Sequence, residues 1–395
     1  MAEHKQIFNV DFNYPVAFCR GIFQPENPLL RDTLNRLDEN RRHRAIVYID
    51  EGVAAENPAL ADDIRNYFNA HPDQLELVAD PEVVPGGEQI KNNYRLIMGV
   101  LDQLLEYKLC RQSYVIAIGG GAVQDAIGFA AAIVHRGLRM IRMNTTVLAQ
   151  NDAGVGVKNS MNLHGAKNSI GTFAPPFAVI NDYDFLNSLS FTDWVGGVSE
   201  AFKVAIIKDP AFFDQLCAMA PAIKRRDIPS MERLIERCAI MHLDHIRTNG
   251  DAFELGTARP LDFGHWAAHK LEGMSNFKIS HGHAVAAGIC IDSYYAMKKG
   301  WITEADYTAI ETGLHESGYT LWYPEIDRRL GDGSLELLGG LAAFQEHLGG
   351  ELCITMPDGI GAKMEVHEMD EPLIAEAVQH LKDTFSHAVG ENQPS

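Results

Sequence analysis

Over its first 185 residues the chain alternates short apolar runs with stretches of helical period. Ala45-Ile46-Val47-Tyr48-Ile49 and Tyr114-Val115-Ile116-Ala117-Ile118 have the length and β-branching of buried strands. Residues 7–12, 75–78, 140–143 and 178–181 predict further short strands. Residues 28–40, 60–70 and 92–105 predict helices; in the last, Leu96, Val100, Leu101 and Leu104 form one apolar stripe. Such alternation predicts a mostly parallel sheet with helices on both faces. Beyond about residue 185 strands nearly vanish, and residues 194–207, 210–218, 231–246, 265–274, 283–299 and 304–317 predict helices. A short hairpin, 351–355 with 364–367 around Asp358-Gly359, and a closing helix over 372–386 complete the pattern. The expected organisation is an α/β domain over residues 1–185 and a helical domain over 186–395.

The Tyr114 strand runs into Gly119, Gly120 and Gly121, and a helical pattern follows through Ala126, Phe129, Ala130 and Ile133. Strand, glycine turn and helix place backbone N–H groups and a positive helix end against a phosphate. A Cβ would block that approach. Taken alone, the glycines are read equally well as a tight turn. Asp125, just past them, and then Arg136, Lys158, Lys167 and Asn168 add a carboxylate and several groups suited to oxyanions. Asp50 ends a strand, where its carboxylate meets the ligand-binding edge of such a sheet.

Composition narrows the partners. A hydrophobic content of 46% and a charged content of 22% are ordinary for a globular chain. A formal net charge of −19 argues against nucleic acid, which demands a basic face. It leaves room for a local basic site that takes a small anion. Six scattered cysteines without CxxC spacing read as free thiols of a reducing compartment. No apolar run has the ~18 residues needed to cross a membrane. The expectation is a cytoplasmic protein with no membrane partner.

A second constellation lies in the helical half. Glu200 and Lys203 share one helix face. Asp262-Phe263-Gly264-His265 opens another helix, with His269 one turn on, and His281-Gly282-His283 opens a third. One Glu and two His with an open position make a catalytic zinc shell. With 16 histidines in the chain, helix-end imidazoles also arise by chance.

With both constellations in view, the chain resembles the dehydroquinate synthase family of sugar phosphate cyclases. The resemblance rests on Pro85-Gly86-Gly87-Glu88, Gly119-Gly120-Gly121 with Asp125, Arg136-Gly137, Asn144-Thr145-Thr146, Lys158 and Gly165-Ala166-Lys167-Asn168. It continues through Gly197 with Glu200 and Lys203, Phe263-Gly264-His265 and His281-Gly282. It implies an N-terminal Rossmann-like NAD-binding α/β domain and an all-α C-terminal metal-binding domain, with the active site between them. It implies that Glu200, His265 and His281 hold Zn2+, for which Co2+ is an alternative. It places Asp50, Glu88, Lys91, Gly119, Gly120, Gly121, Asp125, Thr145, Thr146, Asp152, Lys158 and Lys167 toward NAD+. It implies that Asp125, Lys158, Asn168, Lys203 and His269 line a phosphorylated sugar, with Asp262 and His347 as further candidates where the chain departs from the family. The resemblance also implies that Arg136 reaches across a homodimer interface toward the substrate phosphate.

The chain departs from dehydroquinate synthase where that enzyme grips a substrate carboxylate. Asp262 stands for its Asn, Met241-His242-Leu243-Asp244-His245 lacks its lysine, and Ala258-Arg259-Pro260 carries its arginine one place out of register. Gly282-His283 replaces Gly-Glu, and Glu346-His347-Leu348 replaces a C-terminal lysine. Lost positive charge favours a substrate without a carboxylate, such as sedoheptulose 7-phosphate. Asp262-Phe263-Gly264-His265-Trp266, Leu148-Ala149-Gln150-Asn151-Asp152 and Gly171-Thr172-Phe173-Ala174-Pro175-Pro176 look most like 2-epi-valiolone synthases. The competing readings are 3-dehydroquinate synthase itself, a metal-dependent polyol dehydrogenase, and a degenerate homologue that only binds.

Overall fold

The computed structural model describes residues 3–164, 166–248, 253, 260–347 and 351–386. The chain divides into two compact units, Met1–Asn144 with Gly156–Asp184, and Thr145–Val155 with Phe185–Ser395.

The first unit is built on a seven-stranded parallel sheet of order β1-β9-β6-β5-β2-β3, with β4 also paired to β2. Its strands are β1 (Val16–Cys19), β2 (His43–Asp50), β3 (Leu75–Leu77), β4 (Glu82–Val84), β5 (Tyr114–Gly119), β6 (Arg139–Asn144) and β9 (Ala178–Asp182). Every residue of β5 is buried, which is why its apolar run is unbroken rather than alternating. Ile49 pairs with Ile118, and Gly119 with Asn144, so β2, β5 and β6 end together at one edge. That edge carries ligands in open parallel sheets. Helices α1 (Leu29–Leu34), α2 (Glu51–Glu56), α3 (Leu60–Ala70), α4 (Tyr94–Glu106) and α5 (Gly121–Ile133) connect the strands. Ile97, Val100 and Leu104 of α4 pack with Val123, Ile127 and Ala130 of α5 in one apolar cluster over the sheet.

Residues 7–12 do not form the predicted strand. Ile7 and Phe8 are 79% and 82% exposed, and the edge place beside β9 belongs to β1, with Val16 against Val179. An antiparallel hairpin, β7 (Lys158–Leu163) and β8 (Ala166–Phe173), was not foreseen. It lies against α5 so closely that a Cβ on Gly128 would sit 1.9 Å from Asn159 Oδ1.

The second unit is helical, with one short hairpin. Its helices are α6 (Phe191–Val195), α7 (Val198–Lys208), α8 (Pro210–Lys224), α9 (Ile228–Thr248), α10 (His265–Met274), α11 (His281–Lys299), α12 (Glu304–Glu316), α13 (Gly339–His347) and α14 (Glu371–Phe385). Strands β10 (Ile354–Pro357) and β11 (Lys363–Val366) pair antiparallel. The single helix predicted over 194–207 is two, parted at Gly196-Gly197. Residue 197 has to be glycine, since a Cβ there would lie 2.5 Å from the Leu148 amide nitrogen. A Cβ on Gly282 would lie 1.7 Å from the Gly196 carbonyl oxygen. These glycines let the start of α11 and the residue pair before α7 touch backbone to backbone. No described helix is long and apolar enough to cross a membrane.

Candidate active site

In the first unit the candidate residues gather at the carboxyl edge of the sheet. Asp50 ends β2 and caps α2, accepting the Gly52 N–H at 2.8 Å. Its carboxylate fills the space beside Gly86, where a Cβ would come within 2.4 Å of Oδ1, and its Cβ abuts Gly119. Gly120 caps α5 in extended conformation, leaving the first N–H groups of that helix without a side-chain cap. Such a helix start is an anion site.

Lys91 is almost fully buried, yet its ammonium is fully engaged. It donates to Asp125 Oδ2 at 2.8 Å and to Asn168 Oδ1, and lies 3.6 Å from Glu88. Ser160 Oγ lies 2.9 Å from both Asp125 Oδ2 and Asn168 Oδ1. Asn162 links Glu88 to the Asn168 amide, donating to Glu88 at 3.0 Å and accepting from Asn168 at 2.8 Å. The hairpin thus carries Ser160, Asn162 and Asn168 onto the group formed by Glu88, Lys91 and Asp125. Arg142, wholly buried in β6, anchors the hairpin by donating to the carbonyls of Gly156 and Lys158 and to Asn159 Oδ1. Ser160, Asn162 and Arg142 were missed in the sequence, where polar residues in a strand gave no periodic signal. Lys158 is exposed and Lys167 half-buried at the two ends of the hairpin. Arg136 is exposed in a left-handed turn beyond α5, about 20 Å along that helix from the glycines. Within this unit it is not brought to the other candidates.

In the second unit three helix starts converge. Glu200 on α7, His265 at the start of α10 and His281 at the start of α11 offer one ligand atom each, all within 4.8 Å of one another. Glu200 Oε1 lies 3.6 Å from His265 Nε2 and 3.3 Å from His281 Nε2. The other ring nitrogens are held from behind: His265 Nδ1 by the Phe263 carbonyl at 3.1 Å, His281 Nδ1 by Glu272 at 3.2 Å. Metal-binding imidazoles are oriented in this way. Glu200 Oε2 is ion-paired with the buried Lys203 ammonium, while Oε1 is buried facing the two imidazoles, the side on which a metal ion fits. His269, exposed, stacks on His281 with ring centroids 5.9 Å apart and meets His265 edge to face.

The electrostatics suit a divalent cation. Burial opposes ionisation of Glu200, but Lys203 and the two imidazoles outweigh it and hold the carboxyl down, to about 2. Burial likewise opposes the Lys203 ammonium, yet Glu200 and Asp152 win and raise its pKa. Burial, then the Lys203 charge, lowers His265, so its ring is neutral near pH 7, as a metal ligand must be. Asp152 is held below the usual carboxylate range despite burial, by His242 at 2.8 Å and by Lys203. Asp262 adds a third carboxylate to the field at Lys203. Three carboxylates, one of them also paired with His242, face one buried ammonium, a setting that would favour a divalent cation.

Thr145 and Thr146 directly follow β6; the Thr145 hydroxyl is buried and Thr146 Oγ1 accepts the Ala149 N–H at 3.1 Å. Asn151, beside Asp152, donates to the Gly197 carbonyl at 2.7 Å. His347 is the last residue of α13, and its side chain lies outside the described residues. Gly165, Ala258, Arg259 and Leu348 also lie outside them.

The N-terminal profile of 3-dehydroquinate synthase matches residues 82–195, and the C-terminal profile matches residues 197–331. The chain is 30% identical over 344 residues to the 3-dehydroquinate synthase of Alkaliphilus metalliredigens (strain QYMF), covering 84% of this chain and 93% of that protein. Among solved structures it is similar to ValA, a 2-epi-5-epi-valiolone synthase from Streptomyces hygroscopicus subsp. jinggangensis 5008 with NAD+ and Zn2+ bound. That likeness has a TM-score of 0.84 at 24% identity, over 96% of this chain and 100% of that one. A 2-deoxy-scyllo-inosose synthase complexed with carbaglucose-6-phosphate, NAD+ and Co2+ gives a TM-score of 0.73 at 20% identity, over 95% and 99%. With both halves matched and the full-length relative found, the chain belongs to the 3-dehydroquinate synthase family of sugar phosphate cyclases, enzymes that eliminate phosphate.

Proposed function

We propose that this enzyme converts sedoheptulose 7-phosphate to a C7-cyclitol of the 2-epi-valiolone type, releasing phosphate. The observation that carries the substrate choice is the charge around Lys203. That ammonium is already matched by Glu200, Asp152 and Asp262, and the 241–245 stretch carries no lysine, its His242 being bound to Asp152 at 2.8 Å. A substrate carboxylate there meets the added carboxylate of Asp262 beside Lys203, whereas a neutral polyol end meets donors and acceptors. The likeness to ValA points the same way.

In this reading Glu200, His265 and His281 hold Zn2+ or Co2+. Gly119, Gly120 and Gly121 approach the NAD+ pyrophosphate, with Asp50, Glu88 and Lys91 on the ribose side and Thr145, Thr146, Asp152 and Lys167 also toward the cofactor. When bound, NAD+ supplies transient hydride acceptance, and the cation supplies Lewis acidity at vicinal hydroxyls. Elimination of phosphate and an intramolecular aldol closure complete the conversion with no net redox. Lys203, kept protonated by its neighbours, donates to a substrate oxygen rather than acting as a base. His269, the exposed imidazole beside the two ligands, moves protons, and Asp262 and His347 fix substrate hydroxyls. Asp125, Lys158 and Asn168 face the substrate. Arg136, exposed and remote from the glycines within its own unit, suits an arginine that serves a second copy in a homodimer.

A second reading, 3-dehydroquinate synthase, is favoured by the full-length relative of that name. Either cyclase releases phosphate without accumulating NADH, whereas a polyol dehydrogenase accumulates it. The test is metal-loaded enzyme with NAD+ and sedoheptulose 7-phosphate, followed for inorganic phosphate and for NADH absorbance. Phosphate without NADH is the expected outcome; NADH without phosphate would sink the proposal.

A further inference from the structure

Asp292, on α11, is completely buried and belongs to neither group of candidate residues. One carboxylate oxygen accepts the backbone N–H of Gly264 at 3.0 Å, and the other accepts the indole Nε1–H of Trp266 at 2.8 Å. Those two donors flank His265. The peptide unit between Phe263 and Gly264 is held at both ends: its N–H by Asp292, and its carbonyl by His265 Nδ1 at 3.1 Å. A hydrogen-bonded chain therefore runs from Asp292 through one peptide group to the ring whose Nε2 faces Glu200. Such chains strengthen as each bond polarises the next.

The packing around the chain leaves little freedom. Gly264 is left-handed, with φ 79°. A Cβ on Gly288 would lie 2.1 Å from its carbonyl oxygen, and a Cβ on Gly264 would lie 2.9 Å from the Ile289 amide nitrogen. Trp266 is 1% exposed, and a Cβ on Gly340 in α13 would come within 2.6 Å of its carbonyl oxygen. One side chain thus ties α11, which begins at His281, to α10, which begins at His265, and through Trp266 to α13. Burial pushes the Asp292 carboxyl up, to about 7, against the pull of its two donors. An apolar side chain would leave the Gly264 and Trp266 donors buried and unsatisfied, so an acceptor is required here.

We propose that Asp292 is a positioning residue: through the 263–264 peptide and the Trp266 indole it fixes where His265 presents Nε2 to the cation. The proposal rests on the reading of Glu200, His265 and His281 as a metal site. Asp292→Asn keeps the shape but turns an NH2 group toward one of the two donors. Trp266→Phe removes the indole N–H together with part of the buried ring, so its effect is read against the melting temperature. Each variant, with Glu200→Ala beside it, is purified metal-free and titrated with Co2+ against a chelator. The visible Co2+ spectrum and the melting temperature of the metal-free protein are recorded. Asp292→Asn should weaken Co2+ binding about tenfold or more and shift the spectrum; Trp266→Phe should do the same to a smaller degree. Glu200→Ala should bind no Co2+. Wild-type affinity and spectrum in both Asp292→Asn and Trp266→Phe, with Glu200→Ala empty, would overturn the positioning role alone. The same holds if metal is lost only in proportion to unfolded protein. Stoichiometric Co2+ in Glu200→Ala would overturn the metal site itself, and this inference with it.

Discussion

Lys203 and Glu200 form a buried pair whose partners depend on each other. Removing one partner of such a pair costs about 3–5 kcal/mol, because the other charge is left stranded. Lys203→Met should therefore lower the unfolding free energy of metal-free protein by roughly that amount, and added Zn2+ should restore a good part of it. Denaturant unfolding with and without Zn2+ measures both; an unchanged midpoint in metal-free protein would refute the pairing. His43, in the other unit, gives a pH test. It is buried at the opposite end of β2 from Asp50, with Nε2 3.0 Å from Asn35. Burial, helped by Arg139 and Arg41 and opposed by Glu39, lowers its pKa below 6.5. The unfolded chain then takes up a proton more readily than the folded one. Stability from this residue is present above pH 6.5 and is lost as pH falls through the depressed value. His43→Gln should flatten the decline of melting temperature on acidification below pH 6.5, and parallel curves for the two proteins would rule the effect out.

At the scale of elements, glycines decide how closely the helix starts meet. Gly282→Ala places a methyl 1.7 Å from the Gly196 carbonyl oxygen, so the start of α11 must move. Overpacking of this kind costs about 1–3 kcal/mol. Because His281 is the neighbouring residue, the substitution should also weaken metal binding, as read by chelator competition; full affinity would show that the backbone contact does not place His281. The same element shows what a sequence reveals. The strands β2 and β5 were legible because their apolar runs are buried on both faces, and α10 because His265 follows a glycine turn. The hairpin β7–β8 was not legible. Its buried side chains include Asn159, Ser160 and Asn162, which favour turns over strands, and Arg142 rather than apolar packing anchors it. Residues 7–12 err in the other direction: they have the composition of a strand, yet the edge place is filled by Val16–Cys19. Glu200 and Lys203 were legible as neighbours on one helix, whereas Asp292 was hidden, since only the fold brings it to Gly264 and Trp266.

For the whole molecule, a chain of net charge −19 that takes a phosphorylated sugar needs cations placed locally at the site. Each unit buries a lysine among candidate residues, the first Lys91 amid Glu88, Asp125 and Asn168, the second Lys203 amid three carboxylates. The family membership establishes the reaction class; the pattern of charge around Lys203 is what selects the sugar in this account. The most direct test supplies metal-loaded enzyme and NAD+ with sedoheptulose 7-phosphate and, separately, with the seven-carbon keto acid phosphate used by 3-dehydroquinate synthase. Phosphate release is followed and the ring product is identified by NMR. The account predicts phosphate and a C7 carbocycle from sedoheptulose 7-phosphate and none from the keto acid phosphate; release from the keto acid phosphate alone would contradict it.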